Sequence, residues 1–253
     1  MPILNIAAYK FITLDHLPEL QAVVRDAAYQ QGLKGTVLLA EEGINLFLAG
    51  PADSVHAFLN WLRRDERLAD METKDSFSSE QPFRKLLVKI KPEIVRMNHP
   101  AIQPAAGRAP AVDAHTLKRW LDTGHDDAGR PVLTLDTRND FEVDIGTFKN
   151  AIDWRITCFS QFPQALQTHR EDLRDKTVVS FCTGGIRCEK AAIYMREAGV
   201  QNVYQQDGGI LKYFELSGPA HFEGDCFVFD QRRALDPALR PKVNALNDQA
   251  VGT

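Results

Sequence analysis

The sequence predicts two successive α/β units: an α+β sandwich of order β-α-β-β-α-β, then a parallel sheet covered by helices on both faces. Three observations carry this. Over residues 3–97, apolar runs of strand period alternate with two stretches of helical period. Residues 98–112, NHPAIQPAAGRAPAV, hold three prolines and a glycine without periodicity, and read as a linker. Beyond residue 113, short buried runs alternate with helical segments, the pattern of strands joined by crossover helices. The expected division is therefore 1–97, a linker 98–112, 113–220 and a tail 221–253.

In the first unit, residues 3–14 (ILNIAAYKFITL) form a strand. From His16 to Gln31, Leu17, Leu20, Val23, Val24, Ala27 and Ala28 fall on one helical face, and Gly32 stops the helix. Residues 36–40 and 44–49 are strands joined by the hairpin-like turn Glu41-Glu42-Gly43. Two acidic residues in a turn are ordinarily solvated. Residues 53–68 are predicted as one helix on Val55, Phe58, Leu59 and Leu62, and one β region spans 72–97. That order is the signature of a ferredoxin-like or acylphosphatase-like sandwich. In RKLLVKIKPEIVR (84–96), Leu86, Val88 and Ile90 point to one side and Lys85, Lys89 and Lys91 to the other. With Arg84 and Arg96 against Glu93 alone, the segment carries an excess of four positive charges. Such a strip is either a solvated strand face or a phosphate-tracking surface for RNA.

In the second unit, Asp113 caps a helix carrying Leu117, Trp120 and Leu121. Residues 132–135 form a buried strand ending in Asp136-Thr137-Arg138, followed by Glu142, Gly146, a short strand at 151–152 and a helix at 162–170. Residues 178–181 form the next strand, and Cys182 stands where it ends. Thr183-Gly184-Gly185-Ile186-Arg187 turns the chain. From Cys188 a helix places Ala191, Ala192 and Met195 on one face and stops at Gly199. A strand at 203–204 ends in Asp207-Gly208-Gly209, a short helix spans 211–214, and the tail from Gly218 reads as irregular. Ligands of parallel sheets lie beyond the carboxyl ends of the strands, where Asp136, Cys182 and Asp207 fall.

The Cys182 loop is the candidate reactive centre. Two adjacent glycines let main-chain N–H groups converge on one point. The following helix N-terminus and Arg187 both favour the thiolate and hold an anion bound to it. The chemistry implied is nucleophilic sulfur carrying a persulfide or another anionic adduct. Cys188 either resolves such an adduct as a disulfide or packs as a small residue at the helix start. Cys158 and Cys226 read as inert packing residues. A phosphatase of the Cys-x5-Arg type is disfavoured, because Cys188 occupies its arginine position and Arg187 comes one residue early.

Hydrophobic content of 44% and charged content of 25% over 253 residues are ordinary for a globular protein. No apolar run reaches membrane-spanning length, and the N-terminus lacks the basic start and long apolar core of a secretory signal. Four cysteines in a chain this long do not form a disulfide framework, so a reducing, cytoplasmic setting is expected. A net charge of −4 means that any RNA binding uses a local basic patch.

Three stretches resemble a rhodanese: DTRNDFEVDIGTFKNAI (136–152), the Cys182 loop with its helix, and DGGI (207–210). The resemblance implies that Cys182 carries the persulfide and that Arg138 and Glu142, beside Asp136, brace the loop. Together with the acylphosphatase-like first domain, AEEGIN (40–45), VKIKPEIV (88–95) and CTGGIRCEKA (182–191) resemble one bacterial family over about residues 1–230: the rhodanese-domain, oxygen-dependent tRNA uridine hydroxylases. That resemblance implies an α/β protein, a ferredoxin-like (acylphosphatase-like) α+β sandwich followed by a rhodanese-like parallel-sheet domain. It implies conversion of the wobble uridine of the tRNA anticodon loop to 5-hydroxyuridine, with molecular oxygen as co-substrate and no bound cofactor. Cys182 would be catalytic, with Thr183, Gly184, Gly185, Ile186, Arg187 and Cys188 as its loop. Asp136, Arg138 and Glu142 would support it, and Arg84, Lys85, Lys89 and Lys91 are the candidate RNA contacts. Many family members continue into a cysteine-rich tail. Here Cys226-Phe227-Val228-Phe229-Asp230 resembles its start, but no cysteine follows, and one cysteine cannot build a zinc site, so no metal is expected. No flavin, haem or facial-triad iron motif is evident. A thiolate could add to C6 of the pyrimidine and activate C5 towards oxygen, or a persulfide or peroxidic adduct on Cys182 could meet oxygen first. The alternatives are a persulfide- or thiosulfate-dependent sulfurtransferase, and a non-catalytic RNA-binding module whose thiol senses redox state.

Overall fold

A computed structural model describes residues 2–242. The first domain runs β1 (Ile3–Phe11), α1 (Leu17–Gln30), β2 (Lys34–Ala40), β3 (Gly43–Gly50), α2 (Ala52–Leu62), β4 (Lys74–Ser78) and β5 (Leu86–Ile90). Its sheet has the order β4-β1-β3-β2-β5. The β region expected over 72–97 is thus two strands on opposite edges, β4 antiparallel to β1 and β5 parallel to β2. The result is a ferredoxin-like sandwich with one strand added beside β2. The helix expected over 53–68 ends at Leu62, and a short 3₁₀ turn, Glu66–Leu68, follows. The break has a local cause: the Asp65 carboxylate accepts the Arg67 N–H at 3.0 Å and restarts the chain as a cap.

Both helices cover one face of this sheet. Leu4, Ile6, Val37, Leu39, Leu46 and Leu48 meet Val24, Ala28, Val55 and Phe58 there. Strand alternation then puts Asn5, Ala7 and Tyr9, Asn45 and Phe47, and Lys74 and Ser76 on the opposite face. The register extends that face to β5: Lys89, Leu38, Asn45 and Tyr9 stand in one row across the strands.

The second domain runs β6 (Ala111–Val112), α3 (Ala114–Thr123), β7 (Val132–Asp136), α4 (Asp140–Val143), β8 (Gly146–Phe148), β9 (Ile152–Asp153), α5 (Phe162–His169), β10 (Thr177–Phe181), α6 (Ile186–Glu197), β11 (Val203–Gln206) and α7 (Gly209–Ser217). Its parallel sheet has the order β6-β11-β10-β7-β9. α5 and α6 cover one face and α3 and α7 the other. Residues 98–112, read as a linker, end in β6, and Ile102 and Ala109 join the core under α6. Proline removes a donor but not apolar surface, and an edge strand tolerates the missing donor. The tail, read as irregular, forms β12 (Phe222–Gly224) on β8, and β13 (Cys226–Phe227) paired with β14 (Ala234–Leu235). Strands of two or three residues are too short to show a period.

The domains meet through buried charge. Lys190 of α6, 1% exposed, places its Nζ 2.7 Å from Glu42 Oε2, 2.7 Å from Glu93 Oε2 and 3.1 Å from the Val95 carbonyl. Glu42 also accepts the Ile94 N–H at 2.7 Å, and Glu93 accepts those of Met97 and Asn98 at 2.9 Å each. Glu42 is therefore not the solvated turn residue expected from sequence. Beside it, Tyr9 Oη donates to Glu189 Oε2 at 2.9 Å, and Arg108 pairs with Glu189 at 3.2 Å. Breaking a buried pair from one side leaves the other charge stranded, at about 3 kcal/mol. Lys190→Met should lower stability in urea by about that amount. A loss below about 0.5 kcal/mol would show instead that the three charges behave as a solvated surface cluster.

Candidate active site

β10 delivers Cys182 to the edge of the sheet facing the first domain, and α6 begins four residues later at Ile186, two residues earlier than its side-chain pattern suggested. Gly185 makes this possible with φ 101°, and a Cβ there would lie 2.9 Å from Tyr9 Oη. Its N–H points at Cys182 Sγ, 3.2 Å away. The loop is held from behind by the start of α7. Ile210 N–H donates to the Cys182 carbonyl at 2.9 Å and Leu211 N–H to that of Thr183 at 3.1 Å. A Cβ at Gly209 would stand 2.6 Å from both the Cys182 carbonyl and the Gly185 nitrogen, so DGGI is the close-packed brace of the thiol loop.

Burial opposes ionisation of Cys182, but the adjacent Cys188 thiol, the Arg187 charge and the loop amides outweigh it and hold its pKa well below that of a free thiol. Cys188 moves the other way. Burial and the neighbouring Cys182 charge push it up, and its Sγ donates to the Gly185 carbonyl at 3.0 Å. The two sulfurs are thus driven apart, Cys182 towards the anion and Cys188 towards a neutral donor that closes the loop.

Arg187 forks onto Glu142 of α4, with Nη2 2.7 Å from Oε2 and Nη1 on Oε1. Glu142 also accepts the Asn139 N–H at 3.1 Å. Arg138 is fully buried on Asp136, with Nε–Oδ1 2.9 Å and Nη2–Oδ2 2.6 Å, and Thr147 donates to the same carboxylate at 2.7 Å. Asp207 pairs with Arg108 at 3.2 Å. Of the residues expected beyond the strand ends, only Cys182 therefore reaches the cavity that the domains enclose.

That cavity measures about 380 Å³. The open face of the first sheet forms its floor through Tyr9, Asn45, Phe47 and Lys74, and Cys182, Thr183, Gly184, Ile186 and Arg187 form a wall. The tail supplies Phe229 and Arg232, the latter fixed by Asp230 at 2.6 Å and Ser76 at 2.7 Å. Cys182 is 0% exposed, so bulk water is kept from the sulfur. The Lys74 ammonium lies 5.0 Å above the Tyr9 ring, and burial lowers its pKa. Cys158, read as inert packing, is exposed and lines this cavity. Cys226 is buried, and burial pushes its thiol up to about 12. Lys85, Lys89 and Lys91 are exposed and stand outside the lining. Lys89 is three strand spacings from Tyr9 along the shared row, about 14 Å. Tyr9, Lys74, Phe229 and Arg232 were missed from sequence. Strand alternation could have placed Tyr9 on the face away from the core, but nothing local tied it to Cys182.

A depressed pKa means that the thiolate is already complete at neutral pH. The difference in absorbance at about 240 nm between wild type and Cys182→Ser, which follows the thiolate without a reagent having to reach the buried sulfur, should therefore be flat from about pH 7 upward. The double variant Arg187→Gln, Glu142→Gln removes that ion pair from both sides and should raise the Cys182 midpoint by about one unit or more. An unmoved midpoint would take the guanidinium out of the explanation.

Residues 3–94 match the UPF0176 acylphosphatase-like domain and residues 113–216 the rhodanese-like domain. The tRNA uridine(34) hydroxylase of Bordetella petrii is 67% identical over 94% of this chain and 95% of its own. That of Variovorax paradoxus is 68% identical over 94% and 90%, and that of Bordetella avium 62% identical over 95% and 100%. A solved rhodanese-like domain from Anabaena sp. overlaps 46% of this chain and 79% of its own at 21% identity and a TM-score of 0.37, too loose a likeness to bear on the site. With both domains spanned at such identity, the chain belongs to the family of the tRNA uridine(34) hydroxylases.

Proposed function

We propose that this protein hydroxylates uridine 34, the wobble position of the tRNA anticodon loop, at C5, with molecular oxygen as co-substrate and Cys182 as the reacting thiol. The observation that carries this is the near full-length identity, across both domains, with proteins named for that reaction. The geometry suits it. A base in an anticodon loop is unpaired and leaves its stack at little cost. A cavity of about 380 Å³ is within the range of small-molecule sites, and its walls pair an anionic sulfur with an aromatic floor.

In the balanced reaction, uridine, oxygen, two electrons and two protons give 5-hydroxyuridine and water, the electrons coming from a reductant outside the chain. Addition of the Cys182 thiolate to C6 would push an electron pair through C5 towards O4. The carbanionic C5 would take up O2 as a hydroperoxide. The two electrons of the external reductant and two protons would break its O–O bond to leave C5–OH and water, and loss of the C5 proton with departure of the sulfur would restore the ring. Lys74, which makes no ion pair among the described residues, stands on the cavity floor where a cation would hold charge gathering on O4. A persulfide on Cys182 meeting oxygen first is the other route. A reaction on tRNA favours a cytoplasmic setting. Among the described residues no helix is long and apolar enough to cross a membrane.

The rhodanese-like match over residues 113–216 favours sulfur transfer as the second reading. Nucleoside mass spectrometry of tRNA from cells with and without the gene, and with Cys182→Ser, separates the two. Loss of 5-hydroxyuridine and its derivatives in both strains is expected, with label from isotopic oxygen gas entering the nucleoside in the purified reaction. Persistence of those nucleosides with loss of a thiolated one would hand the site to sulfur transfer. For Lys74→Met, kcat should fall at least about tenfold with little change in Kd for tRNA. A weakened Kd with kcat unchanged would make Lys74 a binding residue only.

A further inference from the structure

A second concavity, about 1060 Å³, opens beside the Cys182 cavity. The two share Phe83 and the tail residues Val228, Phe229, Asp230 and Arg232. Its apolar wall is a cluster of three rings. Phe141 lies 5.2 Å from Phe227 and 6.4 Å from Phe229, and Phe227 lies 5.0 Å from Phe229, all at interplanar angles of 81–88°. Phe141 is 44% exposed, Phe229 52% and the adjoining Ile145 40%. Large apolar side chains gathered in one exposed patch mark an interaction site. The rim is basic. Lys242 and Arg232 are paired with Asp225 and Asp230, while Arg84 and Arg233 make no ion pair among the described residues.

We infer that this groove is a stacking platform for the unpaired bases that flank the target uridine. The inference rests on the reading of the protein as a tRNA hydroxylase. Rings braced edge-on by their neighbours present rigid faces, and every base has a face to lay on them, whatever its identity. Unpaired arginines at the rim match the phosphates between those bases. Continuity supplies the path. Arg84 adjoins Lys85, and the strip continues through Lys89, which stands on the same open sheet face that floors the cavity. An RNA strand held on that strip passes Arg84, enters the groove and meets Phe229, the wall common to groove and cavity. The base beyond that wall faces Cys182, while its neighbours remain stacked outside.

The test uses the full chain and an anticodon stem-loop RNA. Phe141 lines the groove and not the cavity, so Phe141→Ala reports on the groove alone. It should weaken Kd about tenfold with the salt slope unchanged, whereas Arg84→Ala should lower that slope by about one. Phe141→Trp should retain affinity. An abasic residue next to the target uridine should weaken wild type by a similar factor and the Phe141→Ala variant no further. Wild-type affinity in Phe141→Ala, or losses that simply add, would overturn the platform. So would an altered oligomeric state in Phe141→Ala with RNA binding intact, which would make the groove a contact between copies. A wild-type protein that fails to bind the loop would remove the tRNA reading as well.

Discussion

One buried ammonium sets the geometry of the whole molecule. Lys190 is held between Glu42 and Glu93, which belong to a turn and a strand exit of the first domain. It sits on the helix whose N-terminus cradles Cys182, so the clamp that joins the domains also fixes the thiol over the sheet floor. Burying an ion is expensive unless its partners are placed to meet it. Here both carboxylates are held by backbone N–H groups as well as by the lysine. A displaced domain would strand three charges at once, which gives one interdomain arrangement preference over others.

The two domains contribute different things to the site. The parallel sheet supplies the reactive loop, with the α6 N-terminus in front of it and the start of α7 behind. The antiparallel sheet supplies a floor, because its two helices occupy one face and leave the other for Tyr9, Phe47 and Lys74. The tail closes the side through Phe229 and Arg232. The cavity thus draws residues from all three parts, and none of them forms it alone. Charge is arranged with the same economy. Arg187 is pinned by Glu142 and still biases Cys182, while Arg138 gives its Nε and Nη2 to Asp136 and the Gly146 carbonyl.

The Cys182 loop was legible in the sequence because its constraints are local. A strand end, two glycines, an arginine and a helix start lie within a few residues, and each restricts backbone or charge wherever the segment is placed. The order of strands and helices was legible for the same reason, since amphipathic period is a property of each segment. The elements that escaped are those where period fails. β6, β13 and β14 have two residues each, and their pairing is decided by what lies beside them.

The sequence by itself determined that a thiol would sit in a nest of amides at the head of a helix, that a sheet with one apolar face would precede it, and that one strand of that sheet would carry its lysines on one side. Only the tertiary structure decided what faces the thiol. Tyr9 and Glu189 are 180 residues apart, and Lys190 and Glu42 are 148 apart. Contacts at that separation follow from how two finished domains pack, and packing depends on shape and on the burial of charge across both surfaces. No pattern within a single segment encodes it. The turn at Glu42 and the exposed rings of the tail could therefore be read only once the domains had come together.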